Sequence, residues 1–134
     1  MLASVKLHPL PPSAFYNTFT AYGDGFVEIN EKRFESSILV LPEGAIIPWP
    51  VARFESLAPE HFEQILALAP EVVVFGSGER LRFLPPRLAR ALTNHQIGIE
   101  AMDLRAACRT FNILMAEGRR VVAALLFETL EERS

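Results

Sequence analysis

Residues 97–126 constrain the fold of this chain most strongly, because their pattern predicts a strand, a helix and a second strand in that order. Asp103 can cap the helix by accepting a hydrogen bond from a first-turn N–H. Gly118 suits the left-handed position that ends a helix. Between them, apolar residues at helical spacing form one face: Leu104, Ala107, Cys108, Phe111, Leu114 and Met115. The unit predicts a structure but no chemical reaction.

The segments before this unit alternate between strands and helices. Residues 37–41 and the continuous apolar run at 72–75 predict strands, the second one covered on both faces. A helix over residues 59–69 is predicted to turn four side chains inward: Phe62, Ile65, Leu66 and Ala69. Another helix is predicted over residues 87–94. This alternation predicts an α/β fold with largely parallel pairing of strands.

The first part of the chain has a different pattern. Aromatic and β-branched residues alternate with polar ones over residues 15–34, with turn residues at 23–25 and 30–31. Together with the strand at 37–41, this pattern predicts an antiparallel meander. Residues 1–14 contain three prolines and are predicted to be extended and irregular. Residues 128–134 are acidic and are predicted to be frayed or to form a short helical turn. A chain of 134 residues is expected to form one domain over residues 1–134.

Trp49 lies between Pro48 and Pro50, and prolines on both sides exclude a central strand. The segment is therefore predicted to be an edge strand or an extended loop. The tryptophan itself has two interpretations. It is either a packing residue or a contact residue at the rim of a pocket or interface, where tryptophan is enriched.

Composition argues against several classes of protein. A single cysteine rules out an internal disulfide and fits a reducing compartment. The N-terminus has neither a secretory signal pattern nor the arginine-rich character of a transit peptide, and no apolar run approaches the roughly 20 residues that span a bilayer. We therefore expect a cytoplasmic chain without a membrane span. The three histidines lack the spacing of zinc ligands, so we expect no metal or other cofactor.

Charge is distributed unevenly along the chain. The formal net charge is −3, yet residues 80–120 hold eight of the eleven arginines and only three acidic residues. This segment is either a solvated face of mixed charge or an arginine-lined surface for an acidic protein or a phosphate-bearing ligand. No strand interleaves aromatic and basic residues in the manner of RNA-recognition domains, so a nucleic-acid partner is not expected.

Gly76, Ser77 and Gly78 directly follow a predicted buried strand and are the best-placed candidate site. Ligands of α/β sheets bind in the crevice beyond the carboxyl ends of the strands, where glycine permits close backbone approach. The alternative is that these glycines serve only a tight turn. The third glycine of a dinucleotide fingerprint is absent, and no helix begins directly after the motif. Nothing in the sequence connects Ser77 with a histidine (His8, His61 or His95), so we predict no catalytic residue.

The candidate surface extends from this turn to polar residues of the organising unit. Arg109, Thr110, Asn112, Arg119 and Arg120 are needed neither for its apolar face nor for its helix ends. The arginines are predicted to anchor a partner, and Thr110 and Asn112 to donate or accept hydrogen bonds. In the competing structural interpretation, Arg119 or Arg120 pairs with Glu117 or Glu100, and Asn112 bonds to a loop carbonyl.

Five short runs, taken in order and spacing, resemble one known family. They are F-G-S-G, F-L-P-P, I-G-I-E-A-M-D, A-A-C-R-T-F-N-I-L and E-G-R-R-V-V-A-A-L-L. The family includes mitochondrial assembly factor three of respiratory complex I and an uncharacterised domain of bacteria and archaea, and the resemblance covers residues 15–127. It implies a three-layer α/β fold with a mixed central sheet and an added β-hairpin layer. It also implies no established activity or cofactor, and in the mitochondrial members a role in binding other assembly proteins.

Two functional hypotheses follow. The first is a non-enzymatic interaction or assembly domain, which binds another, acidic protein. This hypothesis transfers the role of the mitochondrial members to the present chain by analogy at the level of the fold. Since the chain shows no targeting segment, we expect a prokaryotic member. The second is a small-molecule or anion-binding protein, or an enzyme, that uses the Gly76–Gly78 crevice. The sequence specifies no oligomeric state.

Overall fold

The computed structural model of the chain describes residues 5–6 and 16–128, and its strands form two sheets. The smaller sheet is antiparallel in the order β1-β2-β3-β4 and confirms the predicted meander up to Phe34, whereas the strand at 38–40 belongs to the larger sheet. Its strands are β1 (Val5–Lys6), β2 (Phe19–Gly23), β3 (Phe26–Ile29) and β4 (Lys32–Phe34). β3 and β4 are joined by a two-residue turn at Asn30 and Glu31, both with positive φ, as a twisted hairpin requires.

The larger sheet has five strands in the order β6-β5-β9-β7-β8. They are β5 (Ile38–Val40), β6 (Ile47–Pro48), β7 (Val72–Gly76), β8 (Gly98–Met102) and β9 (Val121–Leu125). The three strands β9, β7 and β8 are parallel, whereas β5 pairs antiparallel with both β9 and β6. The predicted mixed central sheet is thereby confirmed, with the proline-flanked β6 at one edge.

Within residues 16–128, three α-helices and two short 3₁₀ helices connect these strands. The α-helices are α1 (Pro59–Leu66), α2 (Arg90–Thr93) and α3 (Leu104–Ala116), and the 3₁₀ helices are Phe54–Ser56 and Pro86–Ala89. The predicted ends of α3 are confirmed, because Asp103 Oδ1 accepts a hydrogen bond of 2.9 Å from the Ala106 amide. Gly118 follows with a φ of +80°.

The elements form the three layers that the family resemblance implies. On one face of the central sheet, α1 and α2 bury Phe62, Ile65 and Leu92 against alternate sheet residues such as Phe75. On the other face, α3 packs between the central sheet and the small sheet. The Phe111 ring of α3 meets the Phe19 ring of β2 edge to face, with centroids 5.3 Å apart. The small sheet is thus tied to the core through α3.

Both predicted helices before the organising unit are shorter than expected. α1 ends at Leu66, and Ala69 is exposed with a φ of +56°, because the chain reverses there to enter β7. The prediction that Ala69 points inward is therefore wrong. The predicted helix at 87–94 begins as the 3₁₀ helix Pro86–Ala89 and becomes the four-residue α2. Pro85 and Pro86 carry no amide hydrogen for helix bonds, which favours the irregular start.

The N-terminal segment also differs from its prediction. Val5 and Lys6 pair with Tyr22 and Ala21, so residues 1–14 are not wholly irregular. The remainder of that segment, including His8, lies outside the described residues, as do residues 129–134 of the predicted tail. The expectation of one domain over residues 1–134 therefore stays a prediction.

Candidate functional site

Gly76 is a packing position at the carboxyl end of β7. A Cβ atom placed there would lie 2.8 Å from Leu125 Cδ2 and 3.1 Å from Ala107 Cβ. The glycine carbonyl accepts a 3.0 Å hydrogen bond from the Leu126 amide. The absence of a side chain therefore lets α3 and β9 close on β7, and the space predicted for a ligand is filled by protein at this residue.

Ser77 is fully buried, and its polar groups are bonded to backbone. Its amide donates to the Met102 carbonyl at 2.8 Å. Its hydroxyl donates to the Arg80 carbonyl at 2.8 Å and accepts from the Arg82 amide at 2.9 Å. The Ser77 side chain therefore organises the turn after β7. Buried hydroxyls of this kind stabilise a loop because each of their bonds satisfies a backbone group.

Gly78 completes the turn. Its φ of +106° lies where residues with a Cβ are strained, and its carbonyl accepts a 2.7 Å bond from the Leu104 amide at the start of α3.

Two histidines considered as partners for Ser77 are engaged elsewhere. His61 Nδ1 accepts from the Ala58 amide at 3.0 Å, and His95 Nδ1 lies 3.0 Å from the Ala91 carbonyl.

Arg119 and Arg120 lie at the opposite end of α3 from this turn. The helix has 13 residues and spans about 20 Å, so the structure does not bring the two regions together. Both arginines are bonded to the segment that leads into β7. Arg119 Nε donates to Glu71 at 2.8 Å, and Arg120 Nε donates to the Ala69 carbonyl at 3.1 Å.

The acidic partner of Arg119 is Glu71, and not Glu117 or Glu100 as the structural interpretation of the sequence predicts. Glu71 accepts a 3.0 Å bond from the Arg120 amide as well as the bond from Arg119. These two hydrogen bonds lower the pKa of the Glu71 carboxyl group. The cluster fastens the start of β7 to the start of β9.

Arg109 and Asn112 project from α3 toward β2. The Asn112 side chain accepts a 2.9 Å bond from the Phe19 amide and donates one of 2.9 Å to the Phe19 carbonyl. Arg109 is exposed, and its Nη1 donates to the Tyr22 hydroxyl at 3.2 Å. Thr110 is half-buried on the same helix. Asn112 is thus placed to hold the small sheet against α3.

Trp49 is buried, with 2% of its surface exposed, and does not stand at a rim. Its Nε1 donates to the His61 carbonyl at 3.2 Å, and its ring packs edge to face with Phe62 and Phe75 at centroid distances of 5.9 and 6.1 Å. These contacts match the packing interpretation of this residue.

A loop that the sequence did not single out has the most exposed large apolar side chain of the described residues. Phe83 is 76% exposed and Leu81 is 44% exposed. Between them, Arg82 points back into the fold: its Nη2 donates to the Ser77 carbonyl at 2.7 Å, and its guanidinium lies 4.6 Å from the Phe54 ring centroid. Arg82 also pairs with Glu128 at 3.3 Å. The loop is therefore held in one conformation from beneath.

The spacing of residues in the sequence could have indicated that this loop is exposed. Leu81 and Phe83 alternate with arginines between a glycine turn and two prolines. In the structure these residues belong to no strand, so the two apolar side chains do not pack into the core of a sheet. Arg80, Arg87 and Arg90, which lie before and after them in the chain, are exposed. None of these three has an ion-pair partner among residues 16–128, unlike Arg33, Arg82 and Arg119, which are paired.

Two open hollows lie elsewhere on the surface. One, of about 380 Å³, is bordered by Tyr16, Met115, Arg119 and Arg120, and the other, of about 420 Å³, lies beside Asn30 and Phe34. Neither is lined by the Gly76–Gly78 turn. No cluster of His, Cys, Asp or Glu within the described residues is arranged to hold a metal ion.

Cys108 is buried on the inner face of α3, and burial raises the pKa of its thiol. A buried thiol that stays protonated is a small apolar packing group and not a nucleophile. The helices of the described part of the chain are all too short or too polar to cross a membrane.

A family of proteins of unknown function, DUF498/DUF598, matches residues 19–126 of this chain. A solved structure from Bordetella parapertussis is 48% identical and superposes with a TM-score of 0.81, covering 87% of this chain and 100% of that one. A solution structure of a Mth938-like domain from Bordetella pertussis is 40% identical with a TM-score of 0.78, covering 97% and 98%.

Among curated proteins, the chain is similar to NADH dehydrogenase (ubiquinone) 1 alpha subcomplex assembly factor 3 of Bos taurus. The two are 36% identical over 104 residues, which is 76% of this chain and 55% of the bovine protein. An uncharacterised protein of Rhodobacter capsulatus is 36% identical over 107 residues, 78% of this chain and 80% of that protein. The chain spans little more than half the length of its bovine relative. It belongs to the DUF498/DUF598 family and has the Mth938-like α/β fold.

Proposed function

We propose that this chain is a protein-binding domain that assists the assembly of a multi-subunit NADH dehydrogenase. The relatives from Bos taurus and Xenopus tropicalis are named as assembly factors of such an enzyme. An assembly factor requires a surface that binds another protein and requires no reactive centre.

The observation that carries the proposal is the exposure of Phe83 on a loop whose own base is tightly bonded. An aromatic side chain with 76% of its surface in water contributes little to the stability of the isolated fold. It is nevertheless the type of residue that anchors protein interfaces. Arg82 and Ser77 hold this loop from below, so its two apolar side chains are presented without a large loss of loop entropy on binding.

The rival hypothesis, an anion-binding or catalytic crevice at Gly76–Gly78, receives no comparable support. Its central hydroxyl, that of Ser77, is fully buried and bonded to backbone, and a Cβ at Gly76 would meet Leu125 and Ala107. A ligand would have to displace these contacts before reaching the turn.

The test is deletion of the gene in its source organism, followed by measurement of NADH dehydrogenase assembly. We expect less of the fully assembled enzyme on native gels and lower NADH:quinone activity in membranes, both restored by the unaltered chain. Complementation with Phe83→Ser, which changes an exposed side chain and no core contact, separates binding from folding. Normal enzyme levels in the deletion strain would contradict the proposal.

A further inference from the structure

We propose that Arg80, Leu81, Phe83, Arg87 and Arg90, here called the 80–90 surface, bind an acidic amphipathic segment of a partner protein. This inference rests on the proposed function, because it names the surface and the partner chemistry through which that function is exercised.

The apolar part of the 80–90 surface consists of Leu81 and Phe83. They alternate with Arg82, whose side chain turns inward to Ser77 and Phe54, so the two apolar side chains are directed outward. Their exposed fractions are 44% and 76%. A partner that covers both removes apolar surface from water, which is the main favourable term in protein association.

The charged part consists of arginines that have no ion-pair partner among residues 16–128. Arg87 and Arg90 are three residues apart across the junction of the 3₁₀ helix and α2, a spacing that puts both on one face. Leu88, Ala89 and Leu92 are buried, so that face is the outer one. Arg80 is exposed directly before Leu81. Carboxylates of a partner would meet three exposed guanidinium groups that flank the two exposed apolar side chains along the chain.

The conformation of this loop is fixed before any partner binds. Ser77 bonds to the carbonyl of Arg80 and the amide of Arg82, and Gly78 takes the positive φ that starts the loop. Arg82 adds an ion pair with Glu128 across the sheet end. Binding therefore costs little ordering of backbone, which favours a surface built for recognition over a solvated loop.

An acidic protein segment fits this chemistry better than a membrane or a second copy. The segment at 80–120 contains no lysine, and arginine is the residue that pairs carboxylates in a bidentate manner. The chain as a whole has a net charge of −3, which disfavours an anionic bilayer. A symmetric contact between two copies would oppose the same arginines and is repulsive.

The experiment replaces Phe83 by the photo-crosslinking residue benzoylphenylalanine in the full chain, expressed in the deletion strain. The matched control carries the same group at Ile113, which is 58% exposed on α3. We expect one adduct at position 83 that is absent at position 113, and its partner peptide, identified by mass spectrometry, to have acidic residues beside apolar ones. The triple variant Arg80→Glu, Arg87→Glu, Arg90→Glu should abolish the adduct, and the corresponding lysine variant should retain part of it.

The identified peptide, made synthetically, then gives the affinity. We expect Phe83→Ser and the triple glutamate variant each to weaken binding by about tenfold or more, with binding to the unaltered chain falling as salt rises. Because the altered residues are exposed, we expect the free energy of unfolding of each variant to lie within about 0.5 kcal/mol of that of the unaltered chain. Thermal unfolding measures this and verifies that the variants fold.

Three outcomes would overturn the inference. They are a crosslinked peptide that is neutral or basic, an adduct with a second copy of the chain, and binding to cardiolipin-containing vesicles at physiological salt that Phe83→Ser removes. The two proposals can fail separately. If deletion lowers NADH dehydrogenase levels but the triple glutamate variant restores them, the proposed role of the 80–90 surface is wrong. If the crosslinked peptide is acidic but deletion leaves the enzyme intact, the proposed assembly role is wrong.

Discussion

The side-chain amide of Asn112 pairs with both backbone groups of Phe19, accepting from its N–H and donating to its C=O at 2.9 Å each. The two residues are 93 positions apart, and this pairing joins α3 to the second strand of the small sheet. It satisfies both backbone groups of a buried residue of β2, so a residue predicted to bind a partner also holds the architecture together.

Asn112→Ala should destabilise the fold by about 2–3 kcal/mol, because both backbone groups of Phe19 lose their partners at a site with little access to water. Urea unfolding followed by circular dichroism measures the change. The neighbouring substitution Ile113→Ala removes an exposed side chain and should stay within about 0.5 kcal/mol. Equal stability of the two variants would contradict the role assigned to Asn112.

Gly76→Ala should cost about 1–3 kcal/mol, because the added methyl group would lie 2.8 Å from Leu125 in a filled core. Gly98→Ala on the adjacent strand β8 is the matched control, since a Cβ there meets no atom within 4 Å. Thermal unfolding of the two variants distinguishes close packing from a general intolerance of alanine in strands. A ligand crevice at Gly76 would instead leave its stability unaffected.

Ser77→Ala removes the hydroxyl that accepts from the Arg82 amide, so that amide should exchange with deuterium about tenfold faster or more. Amide exchange followed by NMR measures this at single residues. The exposed serine substitution Ser36→Ala should leave the Arg82 rate unchanged. An unchanged rate in Ser77→Ala would mean that the loop is held in place by Arg82 alone.

Glu71 is expected to make the fold less stable as the pH falls. Its pKa is lowered from its ordinary value of 4.5 by hydrogen bonds from the Arg120 amide and the Arg119 side chain. A carboxyl group with a lower pKa in the folded state contributes stability above its unfolded pKa and loses it as the pH falls through the folded value. The unaltered chain should therefore exceed Glu71→Gln in stability at pH 7.

This difference should shrink as the pH falls below 4.5 and vanish below the lowered pKa. Chemical denaturation of both proteins between pH 7 and pH 3 measures it, and the other carboxyl groups cancel because they are common to the two chains. A difference that grows on acidification would show that the Glu71 contacts are not formed in solution.

The sequence was most informative where the determining contacts are local. The cap at Asp103 and the stop at Gly118 act within one helical turn, so the limits of α3 followed from spacing alone. The pairing of Arg119 with Glu71 joins residues 48 apart, which no periodic pattern encodes. The three-layer arrangement was predicted from the family resemblance and not from the spacing of residues.

The candidate site was harder to predict for a related reason. The sequence predicts that polar residues outside the apolar face are available for binding, yet Asn112, Arg119 and Arg120 are bonded to distant backbone or side chains. Conversely, an apolar residue such as Phe83 is assigned to a core by default, and only the fold shows that the strand before it has ended. The predicted binding residues stay predictions until a partner is tested.

The position of β9 has a consequence for how the protein is made. This strand lies between β5 and β7, although both of those are synthesised earlier. Translation of residues 77–120 takes on the order of 2–9 s, during which the two older strands have no neighbour between them. Until residues 121–125 emerge from the ribosome, the edges of β5 and β7 that β9 joins lack this partner, and the central sheet closes only once β9 has been made.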